Sequence, residues 1–402
     1  MLPLHPLLGA AACGAGAAYA MAAAWLSRRP LPPWRAGLPA VSGFDAAPLE
    51  SSAVANVAVT VLKPLRGAEP RLYDNLASLC RQTHAPLQLV FGVREADDPA
   101  IAVVERLRAD FPDCDIALAV APEIHGRNLK VSNLVNMMPL AKHDYLVLAD
   151  SDIVVDADYV ARVTAPLADP ATGVVTCIYR GRALPGLWPS LGVQFIDDWF
   201  VPSVRIAHAG GSRRFAFGAT IALRRDALTA IGGFNAVAHR LADDFWIGEL
   251  TRQRGLSTVL SDVIVGTDVT ETGIGSLWQH ELRWLRTIRS LNPAGFRFLF
   301  ITFTWPMLLL GLAAAATPLT WTLAAAGALA RSVLAGSAAA ALRAPVRDSL
   351  LLAEWLVALT GSRVTWRGQE LAVIDADPPR PHLNSFSTHN NLAQGMTPDR
   401  TP

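Results

Sequence analysis

Between residues 57 and 149, short apolar runs alternate with segments of helical spacing, and no other feature of the chain constrains its fold as much. The runs are Val57 to Leu62 (VAVTVL), Leu87 to Val93 (LQLVFGV), Ile116 to Val120 and Tyr145 to Ala149 (YLVLA). Near-continuous apolar runs of this length suit strands covered on both faces. Between them, Glu69 to Gln82, Pro99 to Phe111 and Asn128 to Met138 read as helices. Leu72, Leu76 and Leu79 fall on one face of the first, and Ile101, Val104 and Leu107 on one face of the second. The pattern predicts an α/β domain over residues 50–292, with a Rossmann-like, mostly parallel, doubly wound sheet. Ligands of such sheets bind at the carboxyl ends of the strands. The sequence contains no internal repeat, no Walker-type phosphate loop and no GxGxxG.

Apolar blocks flank this domain. Of the 402 residues, 51% are hydrophobic, which is high for a soluble chain. Leu4 to Leu26 carries no charge and is long enough to span a bilayer, so residues 1–30 are expected to form a transmembrane helix. A cleaved signal peptide is the alternative, but only His5 stands where a basic leader would be, whereas Arg28, Arg29 and Arg35 follow the block. Residues 296–343 are expected to hold two more spans, Phe298 to Ala316 and Leu319 to Leu342, the second interrupted by Arg331. Ser349 to Leu359 is too short to span. With Glu354 inside it and Arg347 and Arg363 around it, it reads as an interfacial helix, followed by a short basic segment, over 345–370. Arg283, Arg286 and Arg289 precede the block and Arg343, Arg347, Arg363 and Arg367 follow it, so both ends are expected in the cytoplasm. An integral membrane protein of a bacterial inner membrane, with its catalytic domain in the cytoplasm, is the expected arrangement. The Pro-, Asn-, Ser- and Thr-rich tail over 377–402 is expected to be disordered. A net charge of +1 without a basic stripe excludes nucleic acid as a partner. Cys13, Cys80, Cys114 and Cys177 lack metal-site or disulfide spacing and read as core residues.

Five clusters carry candidate chemistry. Asp150-Ser151-Asp152 follows the YLVLA strand, so two carboxylates at a strand's carboxyl end can reach one hard cation, Mg²⁺ or Mn²⁺. Alone, such a pair is a weak signal; its place after a buried strand strengthens it. Asp98, before Pro99, fits a helix cap and also a carboxylate accepting from a pyrimidine base. Lys130, with Asn133, lies at the start of a predicted helix, where a lysine can hold phosphate or simply face solvent. Asp244, next to Asp243 and followed by Phe245 and Trp246, reads either as a general base of raised pKa or as a first-turn acid favoured by the helix dipole. His280, Arg283 and Trp284 (HELRW) lie on a predicted helix before the second apolar block. There, arginine and tryptophan suit a diphosphate clamp or a membrane anchor.

In this order the motifs resemble the ceramide glucosyltransferase-like GT-A glycosyltransferases of families 2 and 21, over about Val57 to Trp366. The resemblance rests on Leu62 to Gly67 (LKPLRG), Asp98, Lys130 with Asn133, Asp150-Ser151-Asp152, Phe217-Gly218-Ala219-Thr220, Asp244 and Arg283-Trp284. It implies a GT-A fold and inverting transfer from a UDP-sugar. Asp98 would contact uracil, Asp150 and Asp152 would hold the metal and diphosphate, and Asp244 would deprotonate the acceptor. Arg283 and Trp284 would complete the (Q/R)xxRW signature, whose first position is His280 here, with Gln279 one residue early. The HELRW-LRTIR run and the segments Pro345 to Asp348 and Thr365 to Gly368 look most like bacterial hopanoid-biosynthesis glycosyltransferases. That kinship implies N-acetylglucosamine transfer to bacteriohopanetetrol; ceramide is the alternative lipid acceptor. A lipid-binding protein without catalysis, or a soluble metal-dependent hydrolase, fits fewer of these motifs.

Overall fold

The computed structural model describes residues 4–31 and 57–361, with the backbone of 363–366 and 369–372. The tail expected over 377–402 lies outside the described residues.

The alternating runs form strands where expected. They are β1 (Val59–Pro64), β2 (Leu87–Val93), β3 (Asp115–Val120) and β4 (Tyr145–Leu148), with helices Leu72–Cys80, Ala100–Asp110 and Leu129–Met137 between them. These strands pair in parallel in the order β3-β2-β1-β4. Every residue of β1 is buried, because helices cover both faces of the sheet there. Past β4 the chain adds β5 (Ile153–Val154), β6 (Thr172–Ala183), β7 (Ile221–Arg224) and β8 (Ser257–Val269), completing the order β3-β2-β1-β4-β7-β6-β8-β5. β6 and β8 are parallel, whereas β7 runs antiparallel to β4 and β6, and β5 antiparallel to β8. The sheet is therefore mixed, with parallel pairing in four of its seven neighbour pairs. The antiparallel insertion of β7 matters for function: register Leu148↔Ile221 lays the turn before β7 beside the residues that follow β4.

The apolar blocks take a form different from the expected one. Leu4–Ser27 is a single helix of 24 residues, long and apolar enough to cross a membrane. Phe298 to Ala316, expected as a span, instead holds a short turn Leu299–Thr302 and a helix Thr304–Ala314 of 11 residues. At about 1.5 Å per residue that helix is too short for a hydrocarbon core about 30 Å thick. Leu319 to Leu342, also expected as one span, divides at Gly336, whose φ of 71° ends the helix Pro318–Ala335. Ala338–Ala358 follows at a bend of 118°, and only the two helices together are long and apolar enough to cross a membrane. The segment expected as an interfacial helix is thus the second half of a 21-residue helix. After it, residues 363–366 and 369–372 pair as an antiparallel hairpin.

Leu4–Ser27 packs on both Thr304–Ala314 and Pro318–Ala335. Close approach needs small residues: a Cβ added at Gly9 would stand 2.7 Å from the Gly311 carbonyl oxygen. Two buried ionic clusters tie this bundle to the sheet domain. Arg331 donates to Asp348 at 2.9 Å and to Asp198 at 3.0 Å. Arg347 donates to Glu281 at 2.5 Å and to Glu354 at 3.0 Å. Arg347, counted above among flanking basic residues, is therefore an interior residue, 1% exposed.

Candidate active site

The strand ends converge on one cavity of about 650 Å³. Asp150, Ser151 and Asp152 leave β4 and turn into β5, whose pairing Ile153↔Thr267 brings them against β8. The Asp152 carboxylate accepts from the Thr267 hydroxyl at 2.9 Å, and its carbonyl accepts from the Asp268 amide at 3.0 Å. Ser151 donates to Glu69 at 2.8 Å. Beneath the turn, the buried Lys63 of the LKPLRG run donates to the Ile153 carbonyl at 3.0 Å. Burial, and then the charges of Asp150 and Glu69, push the Asp152 carboxyl up to about 6.

Lys130 lies in the first turn of Leu129–Met137, capped by Asn128, whose side chain accepts from the Val131 amide. Its ammonium stands 2.6 Å from Asp150 and 3.5 Å from Asp243. Burial pulls this lysine down, but Asp150, Asp243 and Asp244 outweigh it and hold the ammonium above its ordinary value. Asn128 also donates to Asp243 at 3.0 Å, which fixes the start of helix Asp243–Gln253. There the Asp244 carboxylate accepts from the Gly218 amide at 2.9 Å and from the Phe245 amide at 2.8 Å. Burial, then the neighbouring Asp243 charge, raises Asp244 to about 6. Gly218 allows this junction: a Cβ there would sit 2.8 Å from an Asp150 oxygen and 3.1 Å from the Lys130 nitrogen.

The opposite wall comes from helix Ile274–Leu291, which contributes His280, Arg283 and Trp284. His280 Nδ1 pairs with Glu271, leaving Nε2 as its other polar atom. Trp284 packs against Phe200, Phe195 and Tyr179 at ring separations of 5.4, 5.5 and 6.0 Å. Acids, cations and aromatic rings thus line one cavity.

Seven of the expected site residues, Lys130, Asp150, Asp152, Asp244, His280, Arg283 and Trp284, line this cavity. Asp98 and Asn133 do not. Asp98 accepts from the Gly67 amide and the Ala100 amide, both at 2.9 Å, so it ties the LKPLRG turn to a helix start. Asn133 donates to the Gly92 carbonyl at 2.7 Å against β2. Sequence reasoning missed Glu69, Lys63, Thr267 and Glu271 as members of the site. Lys63 stood inside a quoted motif, and the long alternating run of β8 signalled a strand that would carry Thr267; nothing in the sequence marked Glu69.

A mixed sheet of this order, with an acid pair after its fourth strand and the half-buried Asp244 lining the same cavity, is that of the GT-A glycosyltransferase class. The chain belongs to glycosyl transferase family 21, whose model matches residues 11–377. It is 25% identical over 239 residues, 58% of its length, to a ceramide glucosyltransferase of Caenorhabditis elegans named Ceramide glucosyltransferase 3. It is 31% identical over 105 residues, 24% of its length, to a Ceramide glucosyltransferase of Gibberella zeae, 20% of which is covered. The chain spans about half the length of the Caenorhabditis relatives it matches, 51% and 50%. A mannosyltransferase from Pyrobaculum calidifontis, solved in complex with GDP-Man and Mn²⁺, shares the fold with a TM-score of 0.55 at 19% identity, covering 88% of this chain and 99% of that one. The family 21 resemblance is thereby met; kinship with hopanoid enzymes stays a proposal.

Proposed function

We propose that the protein moves a sugar from a UDP-sugar to the hydroxyl of a membrane lipid by one inverting displacement. The observation that carries this reading is that Asp244 and the Asp150–Asp152 pair, brought together at Gly218, line one cavity that also has aromatic walls. A displacement needs a base at the acceptor hydroxyl and charge compensation at the departing diphosphate, on opposite sides of the sugar. Asp244 takes the hydroxyl proton as that oxygen attacks the anomeric carbon. Lys130 and Arg283 meet the diphosphate, and the ring of Trp284 walls the sugar from water.

Asp150 and Asp152 would hold Mg²⁺ or Mn²⁺. Their oxygens are the donors such ions prefer; burial first, and then the charges of Asp150 and Glu69, raise the Asp152 carboxyl, and a divalent cation would relieve that negative crowding. Among the described residues no three His, Cys, Asp or Glu side chains form a ready cage. That suits an ion whose shell is completed by water and substrate phosphate. When bound, the ion neutralises charge on the leaving diphosphate. Asp98 keeps its role as a uracil contact on the resemblance alone, and Asn133 its place beside the donor.

In this reading Leu4–Ser27 spans the membrane and the bent helix pair enters it, so that the acceptor hydroxyl meets the donor at a bacterial inner membrane's cytoplasmic face. The HELRW-LRTIR run favours N-acetylglucosamine and bacteriohopanetetrol; the named relatives favour glucose and ceramide. The test incubates detergent-purified protein and Mn²⁺ with each UDP-sugar and each lipid, reads product by mass spectrometry, and uses Asp244→Ala as control. A glycolipid that disappears in the variant supports the reading and names the acceptor; no product from any pair refutes it.

A further inference from the structure

A second cavity, of about 430 Å³, lies away from the catalytic one. It opens where Leu4–Ser27 ends, between the turn that joins Pro318–Ala335 to Ala338–Ala358 and the segment 190–201. Its level in the membrane can be read from the surface. Leu4, Leu7, Leu8, Met21 and Trp25 on one helix, and Leu319, Trp321 and Leu329 on its neighbour, are all exposed. On the first helix the last of these residues is Trp25, over which Arg29 stacks at 3.6 Å, the pairing expected at a lipid–water boundary. The cavity opens at the same level of this helix, from Ala24 to Arg28, at headgroup depth.

Three guanidinium groups line it: Arg28, Arg180 and Arg343. Arg28 donates only to the Val333 carbonyl, at 3.3 Å, and Arg343 only to the Gln194 side chain, at 2.9 Å. None of the three forms an ion pair among the described residues. The Ser27 hydroxyl is buried at the same place and has no partner. Two acids also line the cavity. Asp198 is already held by Arg331, and Asp197 accepts from the Gly181 amide. The negative carbonyl end of the first helix is compensated from outside, because Arg205 donates to the Leu26 and Arg29 carbonyls at 2.9 and 2.7 Å. Three arginines therefore line a hollow in which Asp198 is held by Arg331 and Asp197 feels the charge of Arg180 without a direct ion pair, with a spare hydroxyl donor.

Guanidinium forks match phosphate oxygens, and basic pockets between membrane helices at the cytoplasmic surface suit phosphorylated headgroups. We propose that this cavity binds the phosphate of an anionic membrane phospholipid, with Arg28, Arg180, Arg343 and Ser27 as its donors and Ala24, Val333 and Leu334 beside the start of the acyl chains. The inference uses the membrane placement proposed above but not the transfer reaction, so it is tested without turnover.

The full chain, delipidated in detergent, is offered equal phosphatidylglycerol and phosphatidylcholine, and bound lipid is counted by native mass spectrometry. Phosphatidylglycerol is expected to dominate. At roughly one fivefold step per arginine, Arg180→Gln and Arg343→Gln should each lower its occupancy about fivefold and together about twenty-fivefold. Arg180 is exposed, so its variant should unfold at the wild-type temperature, which separates lost binding from lost folding. Equal occupancy by the two lipids, or wild-type binding in the double variant, overturns the proposal. Displacement of the lipid by millimolar inorganic phosphate overturns the lipid assignment, since the site would then take a free anion.

Discussion

In the role proposed for it, Asp244 meets two demands. As a base it would have to be ionised to accept a proton, yet burial and Asp243 hold its carboxyl near 6. The expected consequence is an acid limb: a raised pKa keeps the carboxyl protonated at lower pH, so transfer should fall about tenfold per pH unit below about 6 and level off above it. Initial rates over pH 4.5 to 8.5 check this, and a limb near 4 would assign the base elsewhere. Asp244→Asn should lower kcat by about 10² to 10⁴ while leaving the unfolding temperature close to wild type. Gly218→Ala forces a methyl group against Asp150 and Lys130. It should raise the metal concentration needed for half-maximal nucleotide binding, read by calorimetry with Mn²⁺ and UDP. These roles were legible unevenly in the sequence. Asp150, Asp152 and Asp244 stood out because acids beside apolar runs are chemically conspicuous. Glu69 and Thr267 did not, because what recruits them is the return of distant segments to the same strand ends, and no local spacing encodes that.

At the scale of elements, the four parallel strands and their helices could be read almost residue by residue, since their apolar spacing is local. The antiparallel β7 and the paired β6 and β8 could not, because pairing direction depends on the whole path of the chain. The membrane-side helices misled for a related reason. Hydropathy sees composition, whereas Gly336 and the break before Thr304 cut the apolar blocks into shorter pieces. Here Arg347 gives a test of energetics. It holds Glu281, one residue from His280 and two from Arg283, to the helix Ala338–Ala358. Removing only the arginine, Arg347→Met, strands two buried carboxylates and should cost about 3–5 kcal/mol. Replacing all three, with Glu281→Met and Glu354→Met, should recover most of that stability in thermal unfolding. Recovery of stability without recovery of the donor KM would mean that the cluster aligns the helix bearing Arg283 and Trp284 as well as stabilising it.

For the molecule as a whole, the N-terminal helix is packed against Thr304–Ala314 and Pro318–Ala335, and Arg205 grips its end. Deleting residues 1–31 should therefore do more than release an anchor. It uncovers Leu308, Ala324 and their neighbours, and the truncated protein should aggregate or melt at a lower temperature in the same detergent, as size-exclusion chromatography and thermal scans would record. The catalytic cavity also has a pharmacological side. Carboxylates, cations and aromatic rings line a single hollow of about 650 Å³. With the donor, metal and lipid acceptor proposed above, a compound that joined a metal-chelating diphosphate mimic to a greasy tail would engage both kinds of lining at once. Inhibitors built that way would gain selectivity over sugar-nucleotide enzymes with water-soluble acceptors.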